Sequence, residues 1–202
     1  MAYYVRVLTT SAACVPLSLI RSTLEEHKLQ ATLTPAGHTP DSWAHLTLSH
    51  DDGTEIALIE RNPVEDGSLG SEELGEFADE VGLCSPASAA KWLLEYFNGV
   101  RCIYAFQVLS DSDHKNGWEI LGAVKNGIWS FAPSILQADN EGFSNEDGYH
   151  ILWQFRDSVD GPWWMGVLED GDWKHFRMDL GNREHRTKFQ QGRVPEGVEL
   201  AR

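Results

Sequence analysis

The sequence predicts an α+β fold, mainly antiparallel sheets with helices packed on one face. Three observations carry this. Short runs of alternating apolar and polar residues recur along the chain. Asp-Gly pairs at 52–53, 160–161 and 170–171 punctuate them, and both residues tolerate the positive φ that tight hairpin turns need. Between these runs lie segments whose apolar residues recur at helical spacing.

Tyr3 to Leu8 is almost entirely β-branched or aromatic and predicts a strand. Pro16 suits a first helical turn, with Leu17, Ile20 and Leu24 on one helix face running to about His27. Gln30 to Leu33 reads as a short strand closed by a turn over Thr34-Pro35-Ala36-Gly37. Trp43 to Ser49 alternates, with Ala44, Leu46 and Leu48 expected on one face and Trp43, His45 and Thr47 on the other. Asp51-Asp52-Gly53 turns that strand into a partner carrying Ile56, Leu58 and Glu60. A loop follows over 62–70, then a short helix marked by Leu74, Phe77 and Val81.

Ser85-Pro86 reads as an N-cap and first helical position, opening a helix whose apolar side is Trp92, Leu93, Tyr96 and Phe97. Asn98-Gly99 closes it. Arg101 to Leu109 is apolar on both faces, the mark of a central strand covered twice. Trp118 to Trp129 has helical spacing, although Asn126-Gly127 equally suits a hairpin turn. Ile135 to Ala138 is a short strand, and 139–148 a polar loop with four acids. Tyr149–Phe155, Pro162–Leu168 and Trp173–Leu180, joined by Asp-Gly turns, predict a three-stranded meander. Asn182 caps a last helix through Phe189, and the remainder reads as a loose tail.

Both halves share an order of strand, helix, short strand, hairpin and helix. Trp43-Ala-His-Leu…Asp-Gly…Leu-Ile-Glu-Arg parallels Tyr149-His-Ile-Leu…Asp-Gly…Val-Leu-Glu-Asp, which suggests an internal repeat. The expected division is an N-terminal unit over 1–98 and a C-terminal unit with the meander over 99–202, unless the two form one continuous domain.

The 202 residues include eight Trp, eight Phe and five Tyr, ample material for a core. Sixteen bases against 31 acids leave a net charge of −15, which argues against binding nucleic acid or an anionic membrane. Residues 51–80 hold eleven carboxylates and one base, whereas the segment from Lys174 onward holds seven bases and four acids. Such asymmetry steers a basic protein partner, or lets the two regions attract each other. Three scattered cysteines, Cys14, Cys84 and Cys102, do not form a disulfide scaffold, and the N-terminal residues lack a leader pattern. The expected location is cytoplasmic.

Local signatures for dinucleotide, P-loop, zincin, serine-hydrolase and EF-hand chemistry are missing. His45, His50, Asp51 and Asp52 are ligand types, but strand alternation separates the two histidines and the acids serve the turn. Asp139, Glu141, Asp147 and His150 share one loop and its following strand, a set able to bind a cation through oxygens or to pair an acid with a base. Phe143 and Tyr149 anchor that loop. Trp173, His175 and Arg177 share one face of the last meander strand, a composition typical of binding hot spots. Core packing is expected for at least two of Trp153, Trp163, Trp164 and Trp173. Neither Cys84 nor Cys102 has the electropositive, exposed setting of a nucleophile.

The sequence therefore favours a non-enzymatic protein-binding or regulatory module, of the immunity type for example, with no cofactor and no metal. Its candidate binding residues are Asp139, Glu141, Asp147, His150, Trp173, His175 and Arg177. The alternative is a small-molecule- or metal-binding enzyme with its site between the 139–150 loop and the meander. Nucleic-acid mimicry by the 51–80 acids is weaker, because those carboxylates fall on strand ends, a loop and a helix.

Overall fold

A computed structural model describes residues 3–39 and 42–201. In chain order the elements are β1 (Tyr3–Thr9), α1 (Leu17–Glu26), β2 (Thr32–Thr39), β3 (Ser42–Ser49), β4 (Glu55–Pro63), α2 (Leu69–Val81) and α3 (Ala87–Phe97). There follow β5 (Cys102–Val108), a short 3-10 turn at Ser110–Asp113, α4 (Gly117–Trp129), β6 (Ser134–Ala138) and β7 (Gly142–Ser144). The chain ends with β8 (Pro162–Glu169), β9 (Asp172–Asp179), α5 (Arg183–Gln190) and β10 (Glu199–Leu200). The fold is α+β with antiparallel sheets. Among the described residues, no helix is long and apolar enough to cross a membrane.

Two compact units interleave along the sequence. One takes Met1–Ser71 with Val100–Ser134, and the other takes Glu72–Gly99 with Ile135–Arg202. The chain passes from one unit to the other at 71/72, 99/100 and 134/135.

In the first unit, β2, β3, β4, β5 and β1 lie side by side in that order, every pairing antiparallel. The apolar strand β5 sits between β4 and β1, with Cys102 through Phe106 all buried. Leu17, Ile20 and Leu24 of α1 and Ile120, Val124 and Ile128 of α4 are buried, and the two helices pack on each other. Two expectations change here. The Thr34–Gly37 segment is strand rather than turn, since Pro35 pairs with Leu46 on an edge strand where its missing N–H costs no ladder bond. Trp43 is buried with Leu46 and Leu48 while Ala44 is exposed, because the register jumps from Ala36↔His45 to Gly37↔Trp43 and the bulge at Ala44 turns the indole inward. There its Nε1 donates to the Val15 carbonyl at 2.9 Å.

Helix α2, whose chain crosses the 71/72 seam, begins earlier than its apolar spacing indicates, because the Ser68 hydroxyl accepts from the Ser71 N–H at 3.2 Å and caps it. Helix α3 starts one residue later than expected: Pro86 takes the cap position and makes no side-chain bond, and the Ser85 carbonyl accepts from Trp153 N–H at 2.8 Å. Phe143 of the β6–β7 hairpin is wedged between Phe77 and Phe97, with ring centroids 5.5 and 5.7 Å away. Strands β8, β9 and β10 form a second sheet over a core of Phe155, Met165, Val167, Phe176, Met178, Leu180 and Phe189. Asp170 and Gly171, both at positive φ, make the tight turn between β8 and β9.

The meander is thus not the expected one. Residues 151–155 are irregular, and consecutive Ile151 and Leu152 are both fully buried, which a half-exposed strand does not allow. His150 alone bridges, to Ser144 on one side and Met165 on the other. The third strand is instead β10, so the tail is not loose: Glu199 and Leu200 pair with Arg177 and Phe176. Trp43–Arg61 forms a hairpin whereas Tyr149–Asp170 forms an irregular arm and one strand, so the proposed repeat is not reproduced in these segments.

Candidate functional site

The segment 141–150 and the β8–β9 ribbon, all in the second unit, bring together most of the residues singled out above. They do so as two separate acid–histidine pairs rather than one cluster. Gly166 N–H donates to the His150 carbonyl at 2.7 Å, and His150 N–H donates to the Trp164 carbonyl at 3.1 Å. This clamp fixes His150 against the β8 edge. Alternation then sends the His150 ring to the core side and Tyr149 to the outer face.

On the core side, His150 Nδ1 lies 3.1 Å from the Ser144 hydroxyl and Nε2 lies 3.8 Å from a Glu141 carboxylate oxygen. The ring stacks on Phe155 at 5.3 Å and meets the Trp163 edge at 4.8 Å. Ser, His and Glu in this order resemble a nucleophile relay. Yet Ser144 is only 4% exposed and the ring faces aromatic neighbours, so these groups pin the loop to the core.

On the outer face, Tyr149 and His175 stack in parallel, with centroids 3.8 Å apart and planes 5° from parallel. The stack needs Gly166 beneath it: a Cβ there would lie 3.2 Å from His175 Cδ2 and 3.5 Å from Tyr149 Cβ. Buried Asn145 fixes the chemistry of the histidine. Its Oδ1 accepts from Tyr149 N–H at 3.0 Å, and because that backbone group can only donate, the amide orientation is set. Asn145 Nδ2 therefore donates to His175 Nε2 at 3.0 Å, which leaves the ring proton on Nδ1. Burial lowers the His175 pKa from its ordinary 6.5, although nearby Asp147 pulls it upward. Asp147 Oδ2, 3.7 Å from Nε2, thus faces a neutral imidazole, and its 64% exposed carboxylate keeps its charge uncompensated by that ring.

Aromatic surface extends from this point. Trp164, 39% exposed, stands at 81° to Tyr149 with centroids 6.0 Å apart. Along β9, Trp173 meets Trp92 of α3 edge-on at 5.2 Å, and Trp92 packs on Tyr96 at 5.1 Å. The Tyr96 hydroxyl donates to Glu146 at 3.2 Å. Trp153 and Trp163 pack against the core, while Trp164 and Trp173 line the outer face.

Asp139 sits in the β6–β7 turn. Arg177 stands opposite Trp164 across the β8–β9 ribbon and pairs with Glu199 of β10 at 3.7 Å, an exposed contact of small energetic weight. His45 is exposed, 3.9 Å from Glu60, whereas His50 is buried. Asp52 is held by Lys115 at 2.6 Å and by Thr54 N–H, and the Lys115 bond keeps its carboxyl far below the usual range. Among the described residues, no group of three or more His, Cys, Asp and Glu converges as metal ligands. Burial pushes the Cys102 thiol up to about 11 and raises that of Cys84 as well, so neither is an activated nucleophile.

Sequence reasoning missed Asn145, Ser144, Trp92 and Tyr96. Asn145 had a signal: an Asn four residues before an aromatic, spanning Glu-Asp-Gly, is able to close its own loop through the side chain. No family model matches the chain, and no curated protein or solved structure does either.

Proposed function

We propose that this protein is a non-enzymatic binding module of the regulatory or immunity type, docking a basic protein partner on the outer face of the β8–β9 ribbon. One observation carries the reading: half-exposed Trp164 shares the outer face with the Tyr149–His175 stack, and the exposed Asp147 carboxylate lies 3.7 Å from that uncharged histidine. Aromatic anchors with flanking charge are what protein interfaces concentrate. The net charge of −15 adds long-range attraction for a basic surface. An enzymatic site at Glu141 and His150 has less support, because the His150 ring faces into aromatic packing and Ser144 is buried.

The immobilised protein should retain basic polypeptides of known sequence at about 0.05 M salt and release them near 0.3 M, as screening shortens the reach of the charges. The double variant Glu146→Lys, Asp147→Lys should abolish retention. Failure to retain any basic polypeptide at low salt, or equal retention by the double variant, counts against the reading.

A further inference from the structure

We propose that His175 makes the docking face sensitive to acid: when its ring takes up a proton, Nε2 exchanges Asn145 for Asp147, and the rearranged 145–149 loop releases the basic partner. This rests on the binding-module reading and adds its regulation. Two groups compete for one nitrogen. Asn145 Nδ2 stands 3.0 Å from Nε2, and Asp147 Oδ2 stands 3.7 Å from it. The neutral ring satisfies only the first, because its Nε2 lone pair accepts from an amide and repels a carboxylate. The imidazolium satisfies only the second, because both of its nitrogens donate. Histidine is the side chain whose ordinary titration lies closest to neutrality, so mild acidification is enough to drive such an exchange.

The exchange reaches the loop through the same amide. Asn145 Oδ1 accepts from Tyr149 N–H at 3.0 Å, so an amide displaced from Nε2 disturbs the bond that closes 145–149. Tyr149 carries the ring that stacks on His175 and meets Trp164 edge-on, which places the change at the centre of the docking face. The imidazolium also neutralises Asp147 and removes a charge that attracts a basic partner. Both effects weaken binding. The other charges on this face are engaged elsewhere. Arg177, two residues along β9 and opposite Trp164, pairs with Glu199 of β10 at 3.7 Å, and Glu146 takes the Tyr96 hydroxyl at 3.2 Å. Across the ribbon from His175 stands Gly166, which brings no side chain.

The test titrates proton–nitrogen spectra of the full-length protein from about pH 7.5 to about pH 5. The Asn145 side-chain amide and the Tyr149 backbone amide should shift together with the His175 ring, at one midpoint below the ordinary 6.5. Asp147→Asn, at a 64% exposed position, should lower that midpoint further, because the receiving carboxylate is gone. His175→Gln should abolish the shift at Tyr149. The immobilised protein should hold a histidine-free basic polypeptide about fivefold less tightly at the acid end. That difference should disappear in His175→Gln. A Tyr149 amide that stays still while His175 titrates, or a midpoint unmoved by Asp147→Asn, overturns the exchange. Salt-dependent retention that is indifferent to pH in the wild type leaves the binding reading standing and overturns its control by His175. If the spectra show the exchange but no basic polypeptide is held at either pH, the exchange stands and the binding reading falls.

Discussion

A single amide decides the state of His175. Because Asn145 donates to Nε2, protonating that nitrogen would set two donors face to face, and burial adds a further penalty on the charged ring. The unfolded chain takes up this proton at the ordinary 6.5 and the folded chain only at a lower pH. Between the two values the unfolded state therefore binds more protons. Stability contributed by His175 is complete above the ordinary value and is lost as pH falls through it toward the lowered one. Urea denaturation from about pH 8 to about pH 5 should show this slope, and His175→Gln should flatten it. An unchanged slope in the variant would falsify the linkage. Long-range proton–nitrogen NMR should find the proton on Nδ1 at neutral pH. In sequence, Glu141, Asp147, His150 and His175 were legible as chemistry because their side-chain types announce it. Asn145 was not, since an Asn beside Gly and acids reads as turn geometry until its partner thirty residues away in β9 is in place.

At the level of elements, α5 is tied to the irregular 157–159 stretch through one side chain. Arg186 donates to the carbonyls of Leu180, of Asp157 at 3.1 Å and of Val159 at 2.7 Å, and its guanidinium lies 5.2 Å from the Trp153 ring centroid. A fork of fixed donors satisfies three carbonyls at once, which an ammonium on a flexible stem does not. Arg186→Ala should cost about 2–4 kcal/mol in denaturant unfolding, and Arg186→Lys should recover less than half of it. If Lys restores full stability, the fork geometry is irrelevant. The helices were the more legible elements, because their spacing is local: α1, α4 and the Asn182-capped α5 lie close to where the sequence puts them. Strand identity needed partners. Pro35 looks like a turn until β3 lies beside it, Tyr149 to Phe155 alternates yet runs irregularly, and Glu199-Leu200 has no strand signal apart from its pairing with β9.

For the whole molecule, the order of segments along the chain matters as much as their shapes. The central strand β5 of the first unit lies beyond residue 98, and α3 and most of α2, which belong to the second, lie before it. Fragments 1–98 and 99–202 should therefore each lack cooperative thermal unfolding and near-ultraviolet circular dichroism. Two fragments that each melt cooperatively would show that the interleaving is dispensable. The interleaving also imposes a timetable on synthesis. The first unit has all its chain by residue 134, while the second waits for β9 and β10. During that interval, on the order of three to thirteen seconds for the roughly 65 residues concerned, Phe77, Leu93 and Phe97 have left the ribosome before the sheet that completes their unit exists. An elongating chain of this protein thus carries a newborn apolar surface that the finished fold hides.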